Sequence, residues 1–168
     1  SSYTNDQNLI DNFHKKVRRG RSAALNMVIT ETGAGKAVGQ VLPELQGKLT
    51  ANAVRVPTPN VSLAIINLRF AKDITLEELN DFLRQKAFHS DLKEQIGFTN
   101  SPEVVSTDFV GDRHAGIIDS AATIVNGNKC VLYVWYDNEF GYTAQLLGLA
   151  KEMVGLTYQR YPNFSEST

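Results

Sequence analysis

Four groups of residues carry side chains suited to binding or reaction. Thr32-Gly33 comes just before Ala34–Leu42, where Ala37, Val38, Val41 and Leu42 recur at helical spacing. A threonine hydroxyl beside backbone N–H groups at a helix start makes an anion site, strengthened by the helix dipole. The same threonine also serves as a plain N-cap. Lys36 falls in the first turn, where its charge opposes the dipole and favours a nearby anion. Arg55 closes a strand-like run just before Pro57 and Pro59. It reads either as a surface residue at a strand end or as an anion clamp on a rigid element, since a guanidinium fork grips two oxygens at once. His14–Arg21 holds five cations in eight residues, Lys15, Lys16, Arg18, Arg19 and Arg21. Such a run is a solvated basic loop, or a source of further anion contacts if the opening segment folds back. In Trp135–Tyr142, aromatics flank Asp137-Asn138-Glu139 where a strand gives way to a helix. Asp137 or Asn138 caps that helix, or an amide is presented to a planar ligand beside an aromatic wall.

Other chemistry finds little support. Cys130 lies in the apolar run Cys130–Trp135, where a thiol is an inert small hydrophobe. His14, His89 and His114 show no metal-ligand spacing, so no metal is expected. No Gly-x-Gly-x-x-Gly fingerprint occurs, so no dinucleotide-binding half is expected within the chain. The net charge of −1 argues against a broad nucleic-acid face. No apolar run approaches the ~20 residues of a membrane span, and no signal peptide is visible. A single cysteine allows no internal disulfide and suits a reducing compartment.

The positioning elements follow from periodicity. Residues 1–31 read as a long extended loop with one short turn near Asp6–Phe13, and so long a loop is usually functional. A helix over Ala34–Leu42 ends at Pro43. Strands are expected at Ala51–Val56 and Val61–Phe70. Thr75-Leu76-Glu77-Glu78 is a capping box opening a helix with an inward stripe of Leu76, Leu79, Phe82, Leu83 and Ala87. Short strands are expected at Ile96–Phe98, Glu103–Ser106, Gly116–Asp119 and Ala122–Val125. Asn126-Gly127 signals a type I′ hairpin into Lys129–Tyr136. A last helix over Tyr142–Val154 should turn Leu146, Leu147, Ala150 and Met153 inward. The expected fold class is α+β, a mixed and mostly antiparallel sheet with about three helices on one face. Length suits one domain over residues 1–155, opening with the loop 1–31 and followed by a tail over 156–168.

Several blocks, in colinear order, resemble phosphorylating glyceraldehyde-3-phosphate dehydrogenase, in its C-terminal substrate domain. They are Ser2–Gln7, Arg18–Arg21, Thr32–Gly39, Val41–Thr50, Arg55–Asn60, Val105–Gly111 and Trp135–Tyr142. The resemblance implies oxidation of glyceraldehyde 3-phosphate to 1,3-bisphosphoglycerate in glycolysis or gluconeogenesis, through a hemithioacetal on a cysteine, with hydride passing to NAD or NADP. It implies that Thr4 and Arg55 grip the substrate's C3 phosphate, and that Thr32, Gly33 and Arg21 grip the attacking inorganic phosphate. Asn138 would hold the nicotinamide carboxamide, with Tyr142 beside that ring. The opening loop would pack against a neighbouring subunit of a cytoplasmic homotetramer. The chain starts beyond the family's catalytic cysteine, and Ser1 stands at the position of its catalytic histidine. A serine hydroxyl cannot act as a base near neutral pH. The chain alone is therefore expected to be inactive, without a catalytic residue, an N-terminal NAD-binding domain or a tightly held cofactor. Alternatives are an erythrose-4-phosphate dehydrogenase domain and a non-catalytic scaffold or partner-binding fragment. Asn12-Phe13 replaces a common Leu-Pro beside the cofactor and leaves NAD against NADP open. Ile29 replaces a common proline. Glu31 replaces a common serine or threonine, so a carboxylate beside Thr32 either weakens an anion site or points to solvent.

Overall fold

A computed structural model describes residues 1–156, so the expected tail over 156–168 lies outside the described residues except for Leu156. The chain divides into two compact units, Ser1–Leu63 with Val104–Val110, and Ala64–Glu103 with Gly111–Thr168.

In the first unit, β1 (Val28–Glu31) pairs antiparallel with β2 (Asn52–Arg55), setting Val28 against Arg55 and Glu31 against Asn52. β1 lies inside the stretch expected to be loop. The opening segment is not extended either: it doubles back, with Asn8 N–H donating to Arg19 O at 3.1 Å, Asn12 N–H to Gly20 O at 2.9 Å and Ala23 N–H to Asn8 O at 2.9 Å. A 3-10 turn, Val17–Gly20, sits in this doubled segment. Backbone pairing between residues eight or more apart leaves no periodic trace in side-chain types, which is why the sequence concealed it. The helix α1 (Ala34–Val41) forms as expected, but its apolar face stays open, with Val38, Val41 and Leu42 all exposed.

The corner between β2 and the next strand is strained. Val61 is buried, yet its φ is +66°, a left-handed conformation that a β-branched residue strongly disfavours. Asn60 Oδ1 accepts the Val61 N–H at 2.7 Å and helps hold the turn. Strain of this kind costs on the order of 1–3 kcal/mol and persists only where the surroundings over-determine it.

The second unit carries a four-stranded sheet ordered β3-β6-β5-β4, where β3 is Ser62–Arg69, β4 Ile96–Thr99, β5 Gly116–Asn126 and β6 Lys129–Tyr136. β5 pairs antiparallel with β6 and parallel with β4, so the fold is α+β with a mixed sheet, as expected. The two short strands expected over Gly116–Val125 are one strand with an irregular register between Asp119 and Ile124. Asp119 accounts for it: Oδ1 accepts the Ala122 N–H at 3.1 Å and its carbonyl accepts the Thr123 hydroxyl at 2.9 Å. Glu103–Ser106 is not a strand. Asp108 Oδ2 accepts the Val105 N–H at 2.7 Å and a 3-10 turn, Ser106–Phe109, follows. The β5–β6 hairpin turns on Gly127-Asn128, since Asn126 pairs with Lys129. Only Gly127 has a positive φ (+59°), which fits a type II′ turn and not the expected type I′.

Helix α2 (Leu76–His89) begins at the expected capping box, with Thr75 and Glu78 exchanging hydrogen bonds. Leu79 and Ala87 are buried and Leu83 partly so, while Leu76 and Phe82 face solvent, narrowing the expected stripe to one row spaced by four. Leu79 packs with Cys130 and Leu132, joined by Phe70, Ile74, Leu83, Val125 and Val134. Helix α3 (Phe140–Met153) starts two residues before the expected point. Its expected inward residues are exposed instead: Leu146, Leu147 and Ala150 lie open and Met153 is 79% exposed. A helix apolar around most of its girth gives no single stripe from which to read its facing.

Candidate functional site

The opening residues lie along the end of β2. Ser2 bridges Val56 in parallel, and Val56 N–H donates to Ser1 O at 2.9 Å. Arg55, the last residue of β2, donates from Nη1 to Ser1 Oγ at 2.7 Å and to Ser2 O at 3.0 Å. The Ser1 amino group donates to Val54 O at 2.7 Å, and its pKa is lowered by burial and by the Arg55 charge. Thr4 follows two residues on, and its hydroxyl donates to Asp6. Asp6 in turn pairs with Arg19 Nη1. The Thr4 hydrogen bond, then the charges of Arg19 and Arg55, outweigh burial and hold the Asp6 carboxyl below the usual carboxylate range. The structure therefore joins Thr4, Asp6 and Arg19 in one chain of contacts, while Arg55 bonds Ser1 and Ser2 and reaches Asp6 through its charge alone.

Arg19 also donates from Nε to Thr30 Oγ1 at 3.1 Å, on the buried side of β1. Sequence showed three arginines in one run without showing which turns inward. The 3-10 turn decides: the Arg19 side chain is 18% exposed and the Arg21 side chain 64%. Arg21 meets Asp11 at 3.2 Å and lines a hollow of about 270 Å³ with Arg18, Asn26 and the start of β1. Thr32 is not among the residues that line this hollow.

Thr32 and Gly33 lie beyond the other end of β1. Four residues along a strand place Thr32 roughly 13 Å from the ladder position opposite Arg55. Two separate anions, not one, suit that spacing. Thr32 Oγ1 accepts the Ala34 N–H at 3.2 Å, which leaves the hydroxyl hydrogen to be donated. Gly33 is the N-cap, with no side chain to cap the helix and no acid in the first turn. The first N–H groups of a helix have no intrahelical partner. Gly33 has an ordinary φ of −83°, and a Cβ built on it would meet nothing within 4 Å. Neither backbone conformation nor packing in this chain demands a glycine there.

In the second unit, Asp137 is the residue that organises the strand–helix junction. It is 3% exposed. Its Oδ1 accepts from Glu139 N–H at 3.0 Å and Phe140 N–H at 2.9 Å, and its Oδ2 from Gly111 N–H at 2.9 Å. Of the two caps the sequence allowed, Asp137 is the one used. Asn138 is exposed beside it, and Tyr142, four residues on, is 71% exposed. Asn138 precedes the N-cap Glu139, and Tyr142 lies in the first turn of α3. A second buried carboxylate, Asp119, accepts from Trp135 Nε1 at 3.0 Å, a pairing that no local pattern announces. Cys130 is buried, and burial pushes its thiol pKa up.

The class defined by these features is an α+β domain with a cation-rich network at one end of a short ladder and a glycine-started helix at the other. The family described as glyceraldehyde 3-phosphate dehydrogenase, C-terminal domain, matches residues 1–138. The chain belongs to that family. It is 64% identical over 161 residues to a glyceraldehyde-3-phosphate dehydrogenase-like protein of Pseudomonas aeruginosa, covering 96% of this chain and 35% of that protein. It is 45% identical to glyceraldehyde-3-phosphate dehydrogenase of Borreliella burgdorferi and 46% identical to that of Priestia megaterium, covering 46% and 44% of those proteins. The chain thus spans less than half the length of these curated relatives.

Proposed function

We propose that this chain is the substrate- and phosphate-binding domain of an NAD(P)-dependent phosphorylating glyceraldehyde-3-phosphate dehydrogenase, oxidising glyceraldehyde 3-phosphate to 1,3-bisphosphoglycerate. The observation that carries the reading is the pair of anion-suited groups set apart by the length of β1. Thr4 and Arg55 hold the substrate's C3 phosphate, with Arg19 and Asp6 fixing Thr4 in place. Thr32 and Gly33 receive inorganic phosphate at the start of α1, where a glycine that packing does not require lets an oxyanion approach the backbone. Arg21 adds positive charge to the loop and must leave Asp11 to reach an anion.

Asn138 and Tyr142 fit a nicotinamide: an amide to hold the carboxamide and a ring to lie beside it. The nicotinamide would supply a hydride acceptor. Asp137 holds the backbone that presents both residues. The reaction belongs to the complete enzyme, a cytoplasmic homotetramer, and the chain alone is inactive, because Ser1 cannot act as a base and Cys130 is buried. The second anion group favours this reading over erythrose-4-phosphate dehydrogenase, since phosphorolysis requires a place for the attacking phosphate.

Phosphate-dependent melting tests the reading. Phosphate at 100 times its dissociation constant stabilises the fold by about 2.7 kcal/mol. For a chain of this size that is a rise of roughly 5–10 °C. Arg55→Ala and Gly33→Ala should each remove much of the rise. If both variants rise by the wild-type increment, the two anion sites are wrongly assigned.

A further inference from the structure

Three of the five cations in the basic run are each matched by a carboxylate: Arg19 by Asp6, Arg21 by Asp11, and Lys16 by Glu31 at 3.2 Å. Asp6 and Asp11 come from the opening segment. Glu31 comes from the end of β1, next to Thr32, and is the only acid between Val28 and Val41. Strand alternation separates the two contacts that the basic turn makes with β1. Thr30 faces inward and takes Arg19, while Glu31 faces outward and takes Lys16. Both partners of the outer pair are exposed, so neither is needed to fill the core.

We propose that Glu31 is a specificity-determining residue of the Thr32–Gly33 anion site, weakening its hold on dianions such as inorganic phosphate, and that Lys16 sets how far by neutralising it. The proposal rests on the reading of Thr32–Gly33 as an anion site. A carboxylate one residue away acts on a bound anion through solvent, so its effect doubles for a dianion and falls with salt. Free phosphate would then be held loosely enough to exchange at each turnover.

Calorimetric titration of the purified full chain with phosphate and with sulfate tests this at ionic strengths of about 0.01 M and about 1 M, where the Debye length is about 30 Å and about 3 Å. At low salt, Glu31→Gln should bind both anions about two- to fivefold more tightly, and Lys16→Met more weakly by a similar factor. The double variant should return close to wild type, and all differences should shrink at high salt. If Glu31 merely tethers the loop, both single variants weaken binding, the double is no better than either, and salt changes little; that result overturns the proposal. Thr32→Ala separates the two readings. If it lowers affinity while Glu31→Gln does not raise it, the role of Glu31 falls and the site stands. If Thr32→Ala and Gly33→Ala both bind as wild type, site and proposal fall together.

Discussion

Asp137→Ala should destabilise the second unit and displace the start of α3. The buried carboxylate accepts three backbone N–H groups, from Gly111, Glu139 and Phe140, all at 2.9–3.0 Å. Hydrogen bonds to a charged group contribute about 1.5–3 kcal/mol each, so three of them set an upper bound near ~9 kcal/mol. All three donor residues are exposed, so water reaches them once the carboxylate is gone and replaces part of the loss. The expected cost is therefore about 2–4 kcal/mol. Asp137→Asn keeps an acceptor for the helix N–H groups but turns an amide donor toward Gly111 or loses that bond, at about 1–2 kcal/mol. In urea, with a slope near 2 kcal/mol/M, the alanine variant should lower the midpoint by about 1–2 M without changing the slope. Its near-ultraviolet signal from Trp135 and Tyr142 should change as well, since Asp137 holds the junction between them. If the alanine variant unfolds within about 0.3 M of wild type, Asp137 does not organise this junction.

Two further outcomes follow from the titrating groups. Asp6 has its folded pKa depressed by Thr4 and by the arginines, so its stabilisation is complete above the ordinary carboxylate pKa and is lost as pH falls through the folded value. The difference in urea midpoint between wild type and Asp6→Asn should hold steady from pH 7 to about 5 and close below about pH 4; a difference unchanged down to pH 3 refutes it. Cys130, buried in the α2–sheet core with its pKa raised by that burial, should react with an aromatic disulfide reagent far more slowly when folded than in denaturant. Equal rates would show that the thiol is accessible.

Local sequence was enough wherever one side chain acts on its own neighbours. The Thr75–Glu78 capping box, the stop at Pro43, the strand that buries Cys130 and Leu132 and the α+β class were all legible, because caps, proline geometry and strand alternation depend on residues within a few positions. The same holds for Thr32-Gly33 at the start of α1. Tertiary structure alone decided which arginine of the basic run turns inward. That choice depends on a 3-10 turn and on Thr30 eleven residues away, and no spacing within the run encodes it. It also decided that Asp137 and not Asn138 meets the N–H groups at the start of α3, with the Gly111 N–H holding its other carboxylate oxygen, and that Glu31 meets Lys16 across fifteen residues. The apolar residues of α1 and α3 mark the limit from the other side. Their composition promises burial, but burial needs an opposing surface, and only the folded chain shows that these faces lie open.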